Sequence, residues 1–116
     1  MSKLVHVESG QVLVNDLERA RSTRERMRGL LGRAGLPAGG GMLIENCSSI
    51  HTFFMKFPLD VIFFGADMSV NKVVARLAPW RLAGSLGARG VVELPAGTTE
   101  RIPVAVGDRL RIEDSK

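Results

Sequence analysis

At 116 residues, 45% hydrophobic and 24% charged, the chain suits one domain with one core and lacks the charge excess and low complexity of a disordered protein. Sixteen Lys and Arg against twelve Asp and Glu leave a net charge of +4, which favours anionic partners through the long-range field without requiring nucleic acid. A single cysteine, Cys47, excludes an internal disulfide and multi-cysteine zinc sites, and no apolar run approaches the ~20 residues of a membrane span.

Residues 4–7 and 12–14 are short β-branched runs separated by Glu8-Ser9-Gly10-Gln11, a hairpin composition in which Gly10 supplies the turn dihedral. The second strand is extended toward Leu17. After Ala20 the period changes: Ser22-Thr23-Arg24-Glu25 has the form of a capping box, and Met27, Leu30 and Leu31 fall on one helical face. A helix is therefore predicted over 23–31, stopping at Gly32. Residues 34–41, with Pro37 and three consecutive glycines, read as a loop before a strand at 42–44.

Residues 51–64 set His51, Lys56 and Asp60 among phenylalanines. Pro58 disfavours helix at Phe57 and cannot donate to a central ladder, so two strands, 50–55 and 59–64, are predicted with a tight bend between them. Residues 68–77 pair back across Gly65-Ala66-Asp67 as a hairpin, ended by Pro79-Trp80. A glycine-spaced connection over 84–90 leads to a strand at 91–94, and Pro95-Ala96-Gly97 turns the chain. In the last strand, 109–113, Leu110 and Ile112 point inward while Arg109, Arg111 and Glu113 point out. Short strands, glycine turns and one early helix predict a mainly β fold, a β-sandwich or small barrel mixed with one short N-terminal α-helix.

Five motifs occur in the order seen in one family: Arg28-Gly29-Leu30-Leu31-Gly32-Arg33; Gly41-Met42-Leu43; His51-Thr52-Phe53-Phe54-Met55-Lys56 with Pro58-Leu59-Asp60; Glu93-Leu94-Pro95-Ala96-Gly97; and Gly107-Asp108. Over about residues 12–112 the chain resembles the domain of unknown function family numbered 192. The resemblance implies a compact sandwich-like or barrel-like fold with one helix, and it implies no activity. Family members often carry an N-terminal export or lipoprotein signal. This N-terminus has no signal-peptide core, so the chain as given reads as soluble and cytoplasmic. The segment Lys56-Phe57-Pro58 also looks shorter than in many members, which tightens the bend before Asp60.

In an extended strand His51, Phe53 and Met55 would share one face and Ile50, Thr52 and Phe54 the other. His51 is a candidate ligand or general base, against the plainer reading of a half-buried histidine bonded to backbone. Asp60 and Glu93 sit inside apolar runs, where a carboxylate costs several kcal/mol of desolvation unless it is partnered. The plainer partners are Asp60's own turn and, for Glu93, Arg89 or Arg76. Together the two carboxylates would form a glycosidase-type acid/base pair, with Trp80 as a stacking wall for a sugar.

Cys47 and His51 would lie ~13 Å apart along a strand, too far for a thiol–imidazole dyad. His6, His51 and Cys47 have no metal-ligand spacing, and Gly39-Gly40-Gly41 lacks the residues of a phosphate loop, so neither metal nor cofactor is expected. Arg24, Arg28 and Arg33, with Arg19, Arg21 and Arg26, make the predicted helix an anion-binding candidate. Trp80 and Arg81 would add a stacking surface for nucleic acid, although a solvated helix face is the plainer reading and nucleic acid is not favoured.

The sequence thus supports a non-enzymatic binding module with a pocket for a small polar or anionic ligand near His51, Met55, Asp60, Trp80 and Glu93. The alternatives are a carbohydrate-acting hydrolase using the Asp/Glu pair, and an anion or nucleic-acid binder through the arginine helix. Oligomeric state is left open.

Overall fold

The computed structural model describes residues 2–20 and 35–114. The helix predicted over 23–31, with Arg24, Arg28 and Arg33, lies outside the described residues. In chain order the strands are β1 (Ser2–His6), β2 (Val12–Val14), β3 (Asp16–Ala20), β4 (Gly40–Glu45), β5 (Ser49–His51), β6 (Leu59–Phe64), β7 (Val70–Leu77), β8 (Leu82–Gly84) and β9 (Gly90–Pro95). A helical turn, α1 (Thr98–Arg101), and β10 (Leu110–Asp114) complete the described elements.

The strands form a three-stranded sheet ordered β10-β1-β2, a five-stranded sheet ordered β3-β4-β9-β6-β7, and a ribbon of β5 with β8. In the five-stranded sheet β3 and β4 run parallel and the other neighbours antiparallel. The sheet is open, with β3 and β7 at its edges, so the sandwich expectation holds and the barrel does not.

The apolar run of β6 follows from its position. Its neighbours are β9 and β7, and both faces of the sheet are covered. On one face Ile62, Phe64, Val92, Leu94 and Leu43 meet Leu4, Leu13, Val14 and Leu110 of the three-stranded sheet. On the other, Val61, Phe63, Val91, Met42 and Ile44 meet Ile50, Met55, Phe57 and Ala88. A strand buried on both faces reads as a continuous hydrophobic run rather than an alternation. β10 has one wet face and keeps the predicted alternation, with Leu110 buried and Arg111 and Glu113 exposed.

Several boundaries move from their sequence assignments. The run at 12–14 stops at Asn15, and Leu17 belongs to β3, in a different sheet. Gly40 and Gly41 are buried in β4 rather than in a loop. A Cβ on Gly41 would lie 2.8 Å from Val14 Cγ2, so the close approach of the two sheets there requires a glycine. The predicted strand at 50–55 ends at His51 and gives way to a loop, and β8 forms over residues given no element, reaching only the first residue of the connection at 84–90. Among the described residues no helix is long and apolar enough to cross a membrane.

Candidate functional site

The five residues singled out as one pocket do not converge. In the β6–β9 register Asp60 lies opposite Leu94, and Glu93 opposite Val61. Directly opposed residues share a face and successive residues alternate, so the two carboxylates point to opposite sides of the sheet. Asp60 faces the layer shared with the three-stranded sheet, and Glu93 faces the layer under Ile50 and Met55. Both are fully buried. The acid/base pairing expected of a glycosidase is therefore not formed, and Met55 is a core residue. An open cavity of about 490 Å³, lined by Arg19, Ala20, Glu45 and Asn46, holds none of the five.

Asp60 is held by donors rather than poised for chemistry. Its Oδ2 accepts the Thr99 N–H at 2.8 Å and the Thr99 hydroxyl at 2.7 Å, and its Oδ1 accepts the Arg76 N–H at 2.9 Å. The register of β7 slips between Leu59↔Leu77 and Val61↔Val74, leaving a bulge opposite Asp60 in which Arg76 takes a φ of 52°. One carboxylate thus fixes an edge-strand bulge and the first turn of α1. Burial pushes its carboxyl up, but the Thr99 and Arg76 N–H groups, the Thr99 hydroxyl and a further backbone donor at Gly97 hold it below the usual aspartate range. The Arg76 guanidinium is itself engaged on the surface, with Glu100 at 2.7 Å.

His51 and Trp80 do lie in one aromatic cluster, through Phe53 and Phe54, which the predicted strand set on opposite faces. The His51 and Phe53 rings stack with centroids 4.8 Å apart, Phe53 and Trp80 stack at 5.8 Å, and Phe54 meets Trp80 at 4.7 Å with a tilt of 58°. Phe54 and Trp80 are 64% and 55% exposed, and Leu82, opposite His51 in the ribbon, is 73% exposed. The result is an aromatic ladder on the surface, continued by Leu82.

Two loops carry this ladder, and the fully buried Thr52 locks them together. Its N–H donates to Arg81 O at 2.9 Å, and its carbonyl accepts the N–H groups of Trp80 and Met55 at 2.9 and 3.2 Å. Its hydroxyl donates to Ala78 O at 2.7 Å and accepts the Arg81 N–H at 2.9 Å. His51 Nδ1 accepts the Phe53 N–H at 3.3 Å, which sets the ring's orientation in the stack. Phe54 and Trp80 both have positive φ, 68° and 64°, a conformation that costs bulky residues about 1–3 kcal/mol each. The sequence signal available here was the pair Phe53-Phe54 and, far along the chain, a lone tryptophan after Pro79, which periodicity alone could neither bring together nor separate from core.

These features define a mainly β module of two sheets and a ribbon, with an exposed aromatic surface and no carboxylate cleft among the described residues. The chain belongs to the domain of unknown function 192 family, described as "Uncharacterized ACR", whose model matches residues 5–112. It is 39% identical over 64 residues to the UPF0127 protein of Pyrococcus furiosus, a match covering 54% of each chain. The chain thus spans about half the length of that relative. To the UPF0127 protein of Thermococcus sibiricus it is 27% identical over 112 residues, 92% of this chain and 72% of that one. Two crystal structures share the fold. One, from Sinorhizobium meliloti and named as a proposed transcription regulator, has a TM-score of 0.78 at 26% identity and covers 95% of this chain and 90% of that one. The other, a protein of unknown function from Novosphingobium aromaticivorans, has a TM-score of 0.78 at 25% identity and covers 95% and 82%.

Proposed function

We propose that the chain is a non-enzymatic binding module that holds a small, anionic, ring-bearing ligand against the ladder of His51, Phe53, Trp80 and Phe54. The observation that carries this reading is the pair of exposed aromatics in strained backbone conformations, locked in place by Thr52. Solvation alone gives no reason to keep Phe54 and Trp80 there, because relaxed loops would remove the strain and cover the rings. Strain of this kind, held by the surrounding structure, is characteristic of sites where pre-organisation serves binding. The ladder-bearing segments, 49–57 and 77–84, contain Lys56 and Arg81 and no acidic residue, and the Arg81 guanidinium reaches Trp80 O at 3.4 Å. A guanidinium at Trp80, with a second cation in the same segments and no carboxylate, suits a ligand that combines a ring with a negative charge.

Trp80 is the sole tryptophan, so its fluorescence reports the ladder directly. Titration with glucuronate, adenosine monophosphate and a short oligothymidylate is expected to give a saturable change for at least one of them. Stacking contributes about 1–3 kcal/mol per ring, so Phe54→Ala should weaken that binding about tenfold or more while the melting temperature holds. An unchanged affinity in Phe54→Ala, or no saturable response to any of the three, refutes the reading. A preference for the oligothymidylate with a steep salt dependence would make the ligand a single-stranded nucleic acid instead.

A further inference from the structure

At another place in the fold, residues from the first turn and from the turn before β10 converge. β1 and β10 pair with His6 opposite Leu110, and the Val7 N–H donates to Arg109 O at 3.0 Å, which brings Glu8 beside Asp108. His6 is only 4% exposed. Its Nε2 lies 2.7 Å from Asp108 Oδ2 and 3.8 Å from Glu8 Oε1, and its Nδ1 lies 2.7 Å from Ser9 Oγ. One ligand atom from each of His6, Glu8 and Asp108 fits within a mutual distance of 4.8 Å.

We infer that His6, Glu8 and Asp108 form a binding site for one divalent first-row transition ion of the zinc class. Two carboxylates converge on one imidazole nitrogen, and a single proton on Nε2 bridges to only one of them. A cation at the same point would serve both. Both carboxylates are already oriented by backbone donors, as ligating carboxylates generally are. The Glu8 oxygens accept the Arg109 N–H at 2.9 and 3.1 Å, and Asp108 Oδ2 accepts the Ala105 N–H at 2.9 Å.

The tautomer can follow the ion. With a proton on Nε2 the ring accepts from the Ser9 hydroxyl; with a metal on Nε2 the proton sits on Nδ1 and is donated to Ser9 Oγ, which also accepts the Gln11 N–H at 3.2 Å. Ligands at about 2.0–2.2 Å from an ion lie roughly 3–3.5 Å from one another. Asp108 therefore opens slightly, and the exposed Glu8 side chain closes in. One imidazole with two carboxylates is a borderline donor set, which suits zinc, cobalt or manganese better than magnesium or calcium. Residue spacing could not reveal the site, because His6 and Asp108 are 102 positions apart.

The test uses chelator-treated full chain and zinc chloride alone, followed by calorimetry and thermal melting. The expected result is one ion per chain and a melting temperature that rises to saturation and is reversed by chelator. Glu8→Gln keeps an oxygen for the Arg109 N–H and sits on the surface, so its metal-free melting temperature should hold while the zinc dissociation constant rises tenfold or more. Cys47→Ser and His51→Gln should leave zinc binding intact. No saturable zinc binding overturns the inference, as does binding unchanged in Glu8→Gln or lost in Cys47→Ser. An equal response to magnesium overturns the class of ion assigned.

Discussion

Replacing Asp60 by asparagine tests whether that residue is a structural tie or a ligand-binding group. Asparagine has nearly the same shape but presents one carbonyl oxygen and one amide nitrogen. If the carbonyl stays with Thr99, where it meets both the N–H at 2.8 Å and the hydroxyl at 2.7 Å, the amide faces the Arg76 N–H, donor against donor. The bulge then loses its acceptor. The remaining bonds also lose the assistance of the charge, and bonds to a charged group contribute about 1.5–3 kcal/mol against about 1 for neutral ones. The cost at neutral pH should be about 2–4 kcal/mol, a fall of roughly 10 °C in melting temperature for a chain of this size.

The pH dependence gives an independent check. The carboxyl is held below its ordinary range in the folded state, so its stabilisation is fully present above about pH 5 and is lost as pH falls through the folded value. Protonated aspartate resembles asparagine in the number of acceptors it offers. The difference between the wild type and Asp60→Asn, measured by urea unfolding, should therefore shrink between pH 7 and pH 3. A cost below about 1 kcal/mol, or one equally large at both pH values, would refute the role assigned to the ionised carboxylate.

Two further substitutions probe the packing and the loop lock. A Cβ on Gly90 would lie 2.3 Å from Phe64 Cζ and 3.0 Å from Ile44 O, so Gly90→Ala should cost about 1–3 kcal/mol by urea unfolding. Part of that cost should be recovered when Phe64→Leu removes the ring's far edge, and a neutral Gly90→Ala contradicts the packing described. Thr52→Val keeps the shape but strips the hydroxyl from Ala78 O and the Arg81 N–H, a loss of about 2–4 kcal/mol. It should also shift the Trp80 emission as the 78–81 loop relaxes, and an unchanged spectrum would show that Thr52 does not set the ladder.

The parts of the fold legible in the sequence are those governed by local chemistry. The Gly65-Ala66-Asp67 hairpin, the alternation in β10 and the first hairpin at Gly10 each depend on a turn residue or a two-residue period. The strand predicted over 50–55 overruns β5 because Phe53 and Phe54 continue the apolar run past His51, where the strand ends. Only the bonds of Thr52 to the 78–81 loop, made across about thirty positions, reveal a surface loop there. Asp60 and Glu93 were rightly singled out as buried carboxylates in need of partners. Their faces depend on the pairing of β6 with β9, and a shift of one residue in that register would put both on the same face. The His6 cluster was invisible for the same reason, since it exists only because β1 pairs with β10.

The attention that the sequence draws to Asp60 and to Trp80 has one structural explanation, although the two residues do not share a pocket. Asp60 sets the bulge at Arg76, and β7 ends one residue later, at Leu77. The direction in which the chain leaves the sheet toward Ala78, Pro79 and Trp80 is therefore set from within the core. Thr52 then fixes that loop against the one bearing Phe53 and Phe54. The strain at Phe54 and Trp80, about 1–3 kcal/mol each, is comparable to what the Thr52 hydroxyl bonds supply. The ladder is a surface feature, and the bulge at the root of one of its two loops is held by a buried carboxylate that never touches it.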